Sequence, residues 1–79
     1  MEADVTISLK KGVADPEGSN VKKALNLLGF DEVRNVRTMK TFRIDIATGD
    51  RTKAKKDIDE MCKKLLANPV IQTYRIEIR

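Results

Sequence analysis

Leu65-Leu66-Ala67-Asn68-Pro69-Val70-Ile71-Gln72-Thr73-Tyr74-Arg75 is where an amphipathic helix stops and a strand begins. The same transition occurs 38 positions earlier, in Leu27-Leu28-Gly29-Phe30-Asp31-Glu32-Val33-Arg34-Asn35-Val36-Arg37, with Leu27/Leu65, Leu28/Leu66 and Arg37/Arg75 identical and Val33/Ile71 similar. In both stretches a Leu-Leu pair closes the helix, a breaker (Gly29, or Asn68-Pro69) prevents its continuation, and a β-rich segment leaves. Ahead of the helices, Val5, Ile7 and Leu9 correspond to Phe42, Ile44 and Ile46 at a shift of 37. The chain reads as two strand-helix-strand halves.

Working outward, residues 3–10 alternate Val5, Ile7 and Leu9 with Asp4, Thr6 and Ser8, the pattern of a strand with one buried face. Asp15-Pro16 predicts a helix entry, the carboxylate capping free N–H groups and Pro in the first turn; Gly18 weakens that turn, so a start at Ser19 is the other option. Val21, Ala24, Leu25 and Leu28 then form an apolar stripe that Gly29 ends. Residues 32–40 predict a second strand, with a bulge because Val33 and Val36 have opposite parity. Residues 41–47 predict a third, on Phe42, Ile44 and Ile46, with a hairpin turn at Met39-Lys40 that lacks the usual Asn-Gly signal. Asp50 caps a second helix with Ile58, Met61, Cys62, Leu65 and Leu66 on its buried stripe and five i,i+4 Lys–acid pairs on its wet side. The last strand alternates Tyr74, Ile76 and Ile78 with Arg75, Glu77 and Arg79.

The order βαββαβ predicts one α+β domain over residues 1–79. It is a ferredoxin-like, four-stranded antiparallel sheet with two helices on one face, because right-handed crossovers place both helices on the same side. The other face carries Arg43, Asp45, Arg75 and Glu77. A domain of 79 residues buries only about 60% of its unfolded surface. Cys62 is the only cysteine and there is no histidine, so neither a disulfide nor a metal supplies the missing stability, and self-association is expected. A lone thiol and no run near ~20 apolar residues fit a cytoplasmic protein. The formal charge of +4 is spread among alternating acids and bases, a solvated mixed-sign surface.

Catalysis needs a nucleophile with a base, a tuned acid–base pair or a metal, and the sequence offers none of these. Cys62 lies on an apolar stripe and reads as packing. The glycines stand alone at turns and form no phosphate loop. An RNA-binding module has the same element order but stacks bases on aromatic side chains of its central strands; Phe42 and Tyr74 both fall on the buried face here.

Leu9-Lys10-Lys11-Gly12-Val13-Ala14-Asp15-Pro16-Glu17-Gly18 resembles the L-K-x-x-V-x-D-P-x-G signature of the PurS family, the small subunit of phosphoribosylformylglycinamidine (FGAM) synthase. Val21-Lys22-Lys23-Ala24-Leu25, Val33-Arg34-Asn35-Val36-Arg37 and the segment from Met61 through Ile71 resemble further family motifs in the same order. Where family members carry R-x-G-K in the hairpin, this chain has Arg37-Thr38-Met39-Lys40. The resemblance implies a non-catalytic subunit of purine biosynthesis that forms a dimer or a tetramer. It would join the glutaminase subunit, PurQ, to the synthetase subunit, PurL. It binds no cofactor itself, while the complex uses ATP, magnesium and glutamine. Arg37 and Arg75 are the first interface candidates, since they occupy matching positions in the two halves and arginine is favoured at interfaces. Asp15, Pro16, Gly18 and Asn68 follow, beside plainer readings as helix cap, helix stop and strand start.

Overall fold

The computed structural model describes residues 1–79 in full. Its elements in chain order are β1 (Glu2–Leu9), α1 (Pro16–Leu27), β2 (Met39–Asp45), α2 (Arg51–Met61), one π-helical turn (Cys62–Leu66) and β3 (Gln72–Ile78). β1 is the central strand of a three-stranded sheet ordered β2-β1-β3 and runs antiparallel to both neighbours. Its alternation puts Ala3, Val5 and Ile7 on one face, where they meet Ile58, Cys62 and Ala67 in the core. Phe42, Ile44, Tyr74, Ile76 and Ile78 close around them from the outer strands. Full burial of a side chain such as Val5 or Ile58 contributes about 1.5–3 kcal/mol each, and these few residues carry most of the cohesion.

α2 begins where Asp50 Oδ1 accepts from the backbone N–H groups of Thr52 (3.0 Å) and Lys53 (3.2 Å). Ala54, Ile58 and Cys62, four residues apart, are buried against the sheet. On the wet side Lys53–Asp57, Lys63–Asp59 and Lys64–Glu60 pair, whereas Asp59 and Glu60 are not taken up by Lys55 and Lys56. The last turn widens to π geometry, with Ala67 N–H donating to Cys62 O (2.9 Å). That extra residue rotates the stripe beyond it, so Leu66 is half-buried but Leu65 is 83% exposed; Met61, ahead of the turn, is 37% exposed at the stripe's margin, and both depart from their expected place on the buried stripe.

The expected fourth strand and hairpin are absent from the chain. Residues 33–38 pair with no strand, and Met39 and Lys40, placed in a turn from sequence, are the first residues of β2, opposite Ser8 and Ile7. A tight hairpin there needs backbone with positive φ; no non-glycine residue adopts it, and the stretch has no glycine. The chain therefore runs straight from Val33 into β2.

α1 does not share a face of the sheet with α2 either. It projects from the end of β1, and residues 30–38 fold back along it to form an arm. Gly29, at φ +102°, ends α1 as its position predicts, and Phe30 N–H closes the turn on Leu25 O (3.0 Å). Asn26 Nδ2 donates to the Phe30 and Val33 carbonyls (3.0 and 3.4 Å), tying the arm's two limbs. With its stripe off the sheet, Val21 and Ala24 are exposed, as are Leu27 (89%), Leu28 (74%) and Phe30 (49%). The radius of gyration is 16.0 Å, against about 12 Å for a compact chain of this length.

Candidate subunit interface

The arm is fixed at its base by Asp15. Its Oδ1 caps α1 by accepting from Gly18 N–H (3.0 Å), and its Oδ2 accepts from Thr38 N–H (2.7 Å), so one carboxylate clasps the start and the end of the arm. These two donors, Thr38 first, hold the Asp15 carboxyl below the ordinary carboxylate range. Pro16 follows in the first turn. Gly18 is buried, and a Cβ there would meet Val36 O at 2.3 Å. The sequence reading of Gly18 as a weak helix start misses its purpose, which is to let the returning limb cross at backbone distance.

Arg37 and Arg75, matched in the repeat, are not brought together. Arg37 lies on the returning limb, beside a cleft of about 330 Å³ also lined by Ser8, Ser19, Lys22 and Asn35. Arg75 stands on β3, opposite Thr6 of β1, on the sheet face away from α2. Both are exposed.

That open face is polar and internally bonded. Asp4 at its centre accepts from Arg43 Nε (2.9 Å) on one side and Arg79 Nε (2.9 Å) on the other. The two guanidinium groups, Arg43 foremost, hold its carboxyl at about 2. Thr6–Thr41 (3.1 Å) and Ser8–Thr73 (3.4 Å) hydroxyl bonds continue the ladder. Phe42 and Tyr74 point to the opposite face, into the packing around the core, and Tyr74 Oη donates to Asp59 (2.5 Å), so neither ring offers a stacking platform. The Asp59 bond raises the Tyr74 pKa and lowers that of Asp59; burial raises that of the Cys62 thiol.

Asn68 builds the turn into β3. Its Oδ1 accepts from Val70 N–H (3.0 Å), its N–H donates to Gln72 Oε1 (2.7 Å), and its carbonyl receives the Ile71 and Gln72 N–H groups. Lys10 Nζ reaches Pro69 O (2.8 Å) across the same turn. Asp4, Lys10 and Thr38 were not singled out from sequence; the outward parity of Asp4 and Arg43 on paired strands was the one usable signal.

The shifted carboxylates Asp4, Asp15 and Asp59 are thus engaged in bonds that shape the fold, while the exposed apolar residues of the arm and the outer edge of β2 are covered by no other part of the chain. This is the make-up of a small α+β subunit that works through protein contact. The family model described as "PurS: Phosphoribosylformylglycinamidine (FGAM) synthase" matches residues 2–79, and the chain belongs to that family, a subunit of FGAM synthase in purine biosynthesis. It is 62% identical over 76 residues to the PurS subunit of Archaeoglobus fulgidus, covering 96% of this chain and 95% of the relative. The crystal structure of Methanocaldococcus jannaschii PurS, described as one of the subunits of formylglycinamide ribonucleotide amidotransferase, superposes with a TM-score of 0.90 at 50% identity, over 99% of this chain and 94% of that one. A Thermotoga maritima chain from a structure described as PurLQS shares the fold, with a TM-score of 0.88 at 22% identity over 96% of this chain and 93% of that one.

Proposed function

We propose that this chain is the non-catalytic accessory subunit that joins glutaminase (PurQ) to synthetase (PurL) in FGAM synthase. The reaction is the ATP- and glutamine-dependent conversion of formylglycinamide ribonucleotide to formylglycinamidine ribonucleotide, and the subunit's part is to hold the two larger subunits in register for ammonia transfer. In this reading ATP, magnesium and glutamine are bound by the larger subunits, and the complex works in the cytoplasm. The observation that carries it is the chain-long match to relatives described as subunits of this synthase, in a fold whose shifted side chains Asp4, Asp15, Asp59 and Tyr74 are spent on its own architecture. Arg37 and Arg75, exposed and without an ion-pair or side-chain hydrogen-bond partner in the chain, are the leading contacts for the larger subunits. Asp15, Pro16, Gly18 and Asn68 act at one remove, by shaping the arm and the β3 turn. The working unit is a pair of chains, and the four-stranded ferredoxin-like sheet expected from sequence is a property of that pair.

The test mixes this chain with its glutaminase and synthetase partners and follows co-elution together with amidine formation from glutamine or from free ammonia. A joint complex in which glutamine-dependent turnover requires the chain, while ammonia-dependent turnover is less affected, is the expected result. Turnover indifferent to the chain, with no complex in the presence of glutamine and nucleotide, would overturn it.

A further inference from the structure

We propose that the cleft between α1 and the returning limb is an anion site, which takes a phosphate group, free or as the ester of a small sugar, between Lys22 and Arg37. The site lies within one chain, so it goes beyond the assembly described above and does not depend on it. Two cations without an acid share the walls of this one cavity. The cleft measures about 330 Å³, at the small end of ligand sites, with Ser19 and Lys22 contributed by α1, Asn35 and Arg37 by the returning limb and Ser8 by the end of β1. Lys22 is half-buried there. The cations that do pair within the chain are the terminal amino group, Arg43, Lys53, Lys63, Lys64 and Arg79, and neither Lys22 nor Arg37 is among them. A partly desolvated charge left in that state calls for a counter-ion.

Local sequence explains why neither cation finds an acid. On α2 and the π turn, Lys53, Lys63 and Lys64 each have a carboxylate one turn away and take it. Lys22 has Gly18 and Asn26 at four residues and Ser19 and Leu25 at three, so its own helix offers it no partner. Arg37 stands between Val36 and Thr38, with Asn35 and Met39 next along the limb, and none of these carries a charge. Asp15 is the one acid lining the cleft, and its two oxygens are occupied by the Gly18 and Thr38 N–H groups. Like charges around one cavity repel, and an anion between them turns that repulsion into two attractions. Phosphate suits the pair, since one of its oxygens can take the compact ammonium while two others meet the planar fork of the guanidinium. The side-chain hydrogen bonds of the arm belong to Asp15 and Asn26, so the Ser19 hydroxyl and the Asn35 amide keep their donors for the remaining oxygen.

Calorimetric titration of the full chain at constant ionic strength tests this, with inorganic phosphate, ribose phosphate and, as the uncharged comparison, ribose. Saturable millimolar binding of one phosphate group per chain is expected from the first two and none from ribose. Equal affinity for phosphate and its ester would support the site with the free anion as its ligand, and a tighter ester would support it with the sugar phosphate. Lys22→Gln and Arg37→Gln should each weaken binding by about tenfold. Lys23→Gln, which removes the same charge from an exposed position of α1 outside the cleft, should leave binding unchanged. Amide chemical shifts of the unaltered chain give a readout that needs no variant, and their changes on adding phosphate should be confined to the residues of the cleft. No saturation, an equal loss in all three variants, or shift changes scattered over the basic surface would overturn the site.

Discussion

Gly18 and Asn68 show how one residue can carry a junction that propensity alone undervalues. Gly18→Ala sets a methyl against Val36 O, where the nearest approach is to backbone and cannot give easily. We expect a loss of more than about 2 kcal/mol in chemical denaturation, with limited proteolysis opening residues 16–38 first. Asn68→Ala removes an acceptor that organises the β3 turn, at a cost of about 1 kcal/mol; an unchanged melting profile would contradict that structural role. Asp4 sets the acid limit. Its folded pKa, about 2, lies below the unfolded value near 3.9, so its stabilisation is present above about pH 4 and is lost as pH falls toward 2. Asp4→Asn should flatten the stability–pH curve in that window. Asp15 and Asp59, lowered in the same direction, add to the slope and remain in the variant.

Among the elements, β1 and α2 are the ones the fold cannot lose. Ile58→Ala should cost about 2–5 kcal/mol, read from denaturant midpoints, because Ile58 is fully buried between α2 and β1. Cys62, buried one turn further on with its thiol pKa raised, should react with a thiol reagent only as the protein unfolds. Both residues were legible as core from helical spacing, and β1 and β3 from alternation. Leu65 was not, because spacing assumes 3.6 residues per turn and the π turn breaks that period at Cys62–Leu66. Residues 32–40 were read as a strand with a neighbouring hairpin because extended character is local, whereas the strand that pairs with it is not. The opposite parity of Val33 and Val36 and the missing turn glycine both marked the spot without revealing the straight passage through it. Asp15 was legible as a cap; its bond to Thr38, 23 residues on, had no signal in the sequence.

For the whole molecule, small size and a chain-long resemblance were enough to anticipate a subunit, while the arm that projects from its sheet had no signal in either. The pair of chains proposed as the working unit should melt as a pair, so the melting temperature should rise measurably with protein concentration, and a concentration-independent value in differential scanning calorimetry would contradict it. The position of β1 has a further consequence, for synthesis. The first strand made is the hub of the sheet, yet the Ser8–Thr73 bond spans 65 residues and the Arg79–Asp4 bond 75. At roughly 5–20 residues per second, a ribosome presents β1 seconds before β3 exists. Val5 and Ile7 must wait uncovered through that interval while α2 forms locally, and the sheet closes only when translation has delivered its third strand.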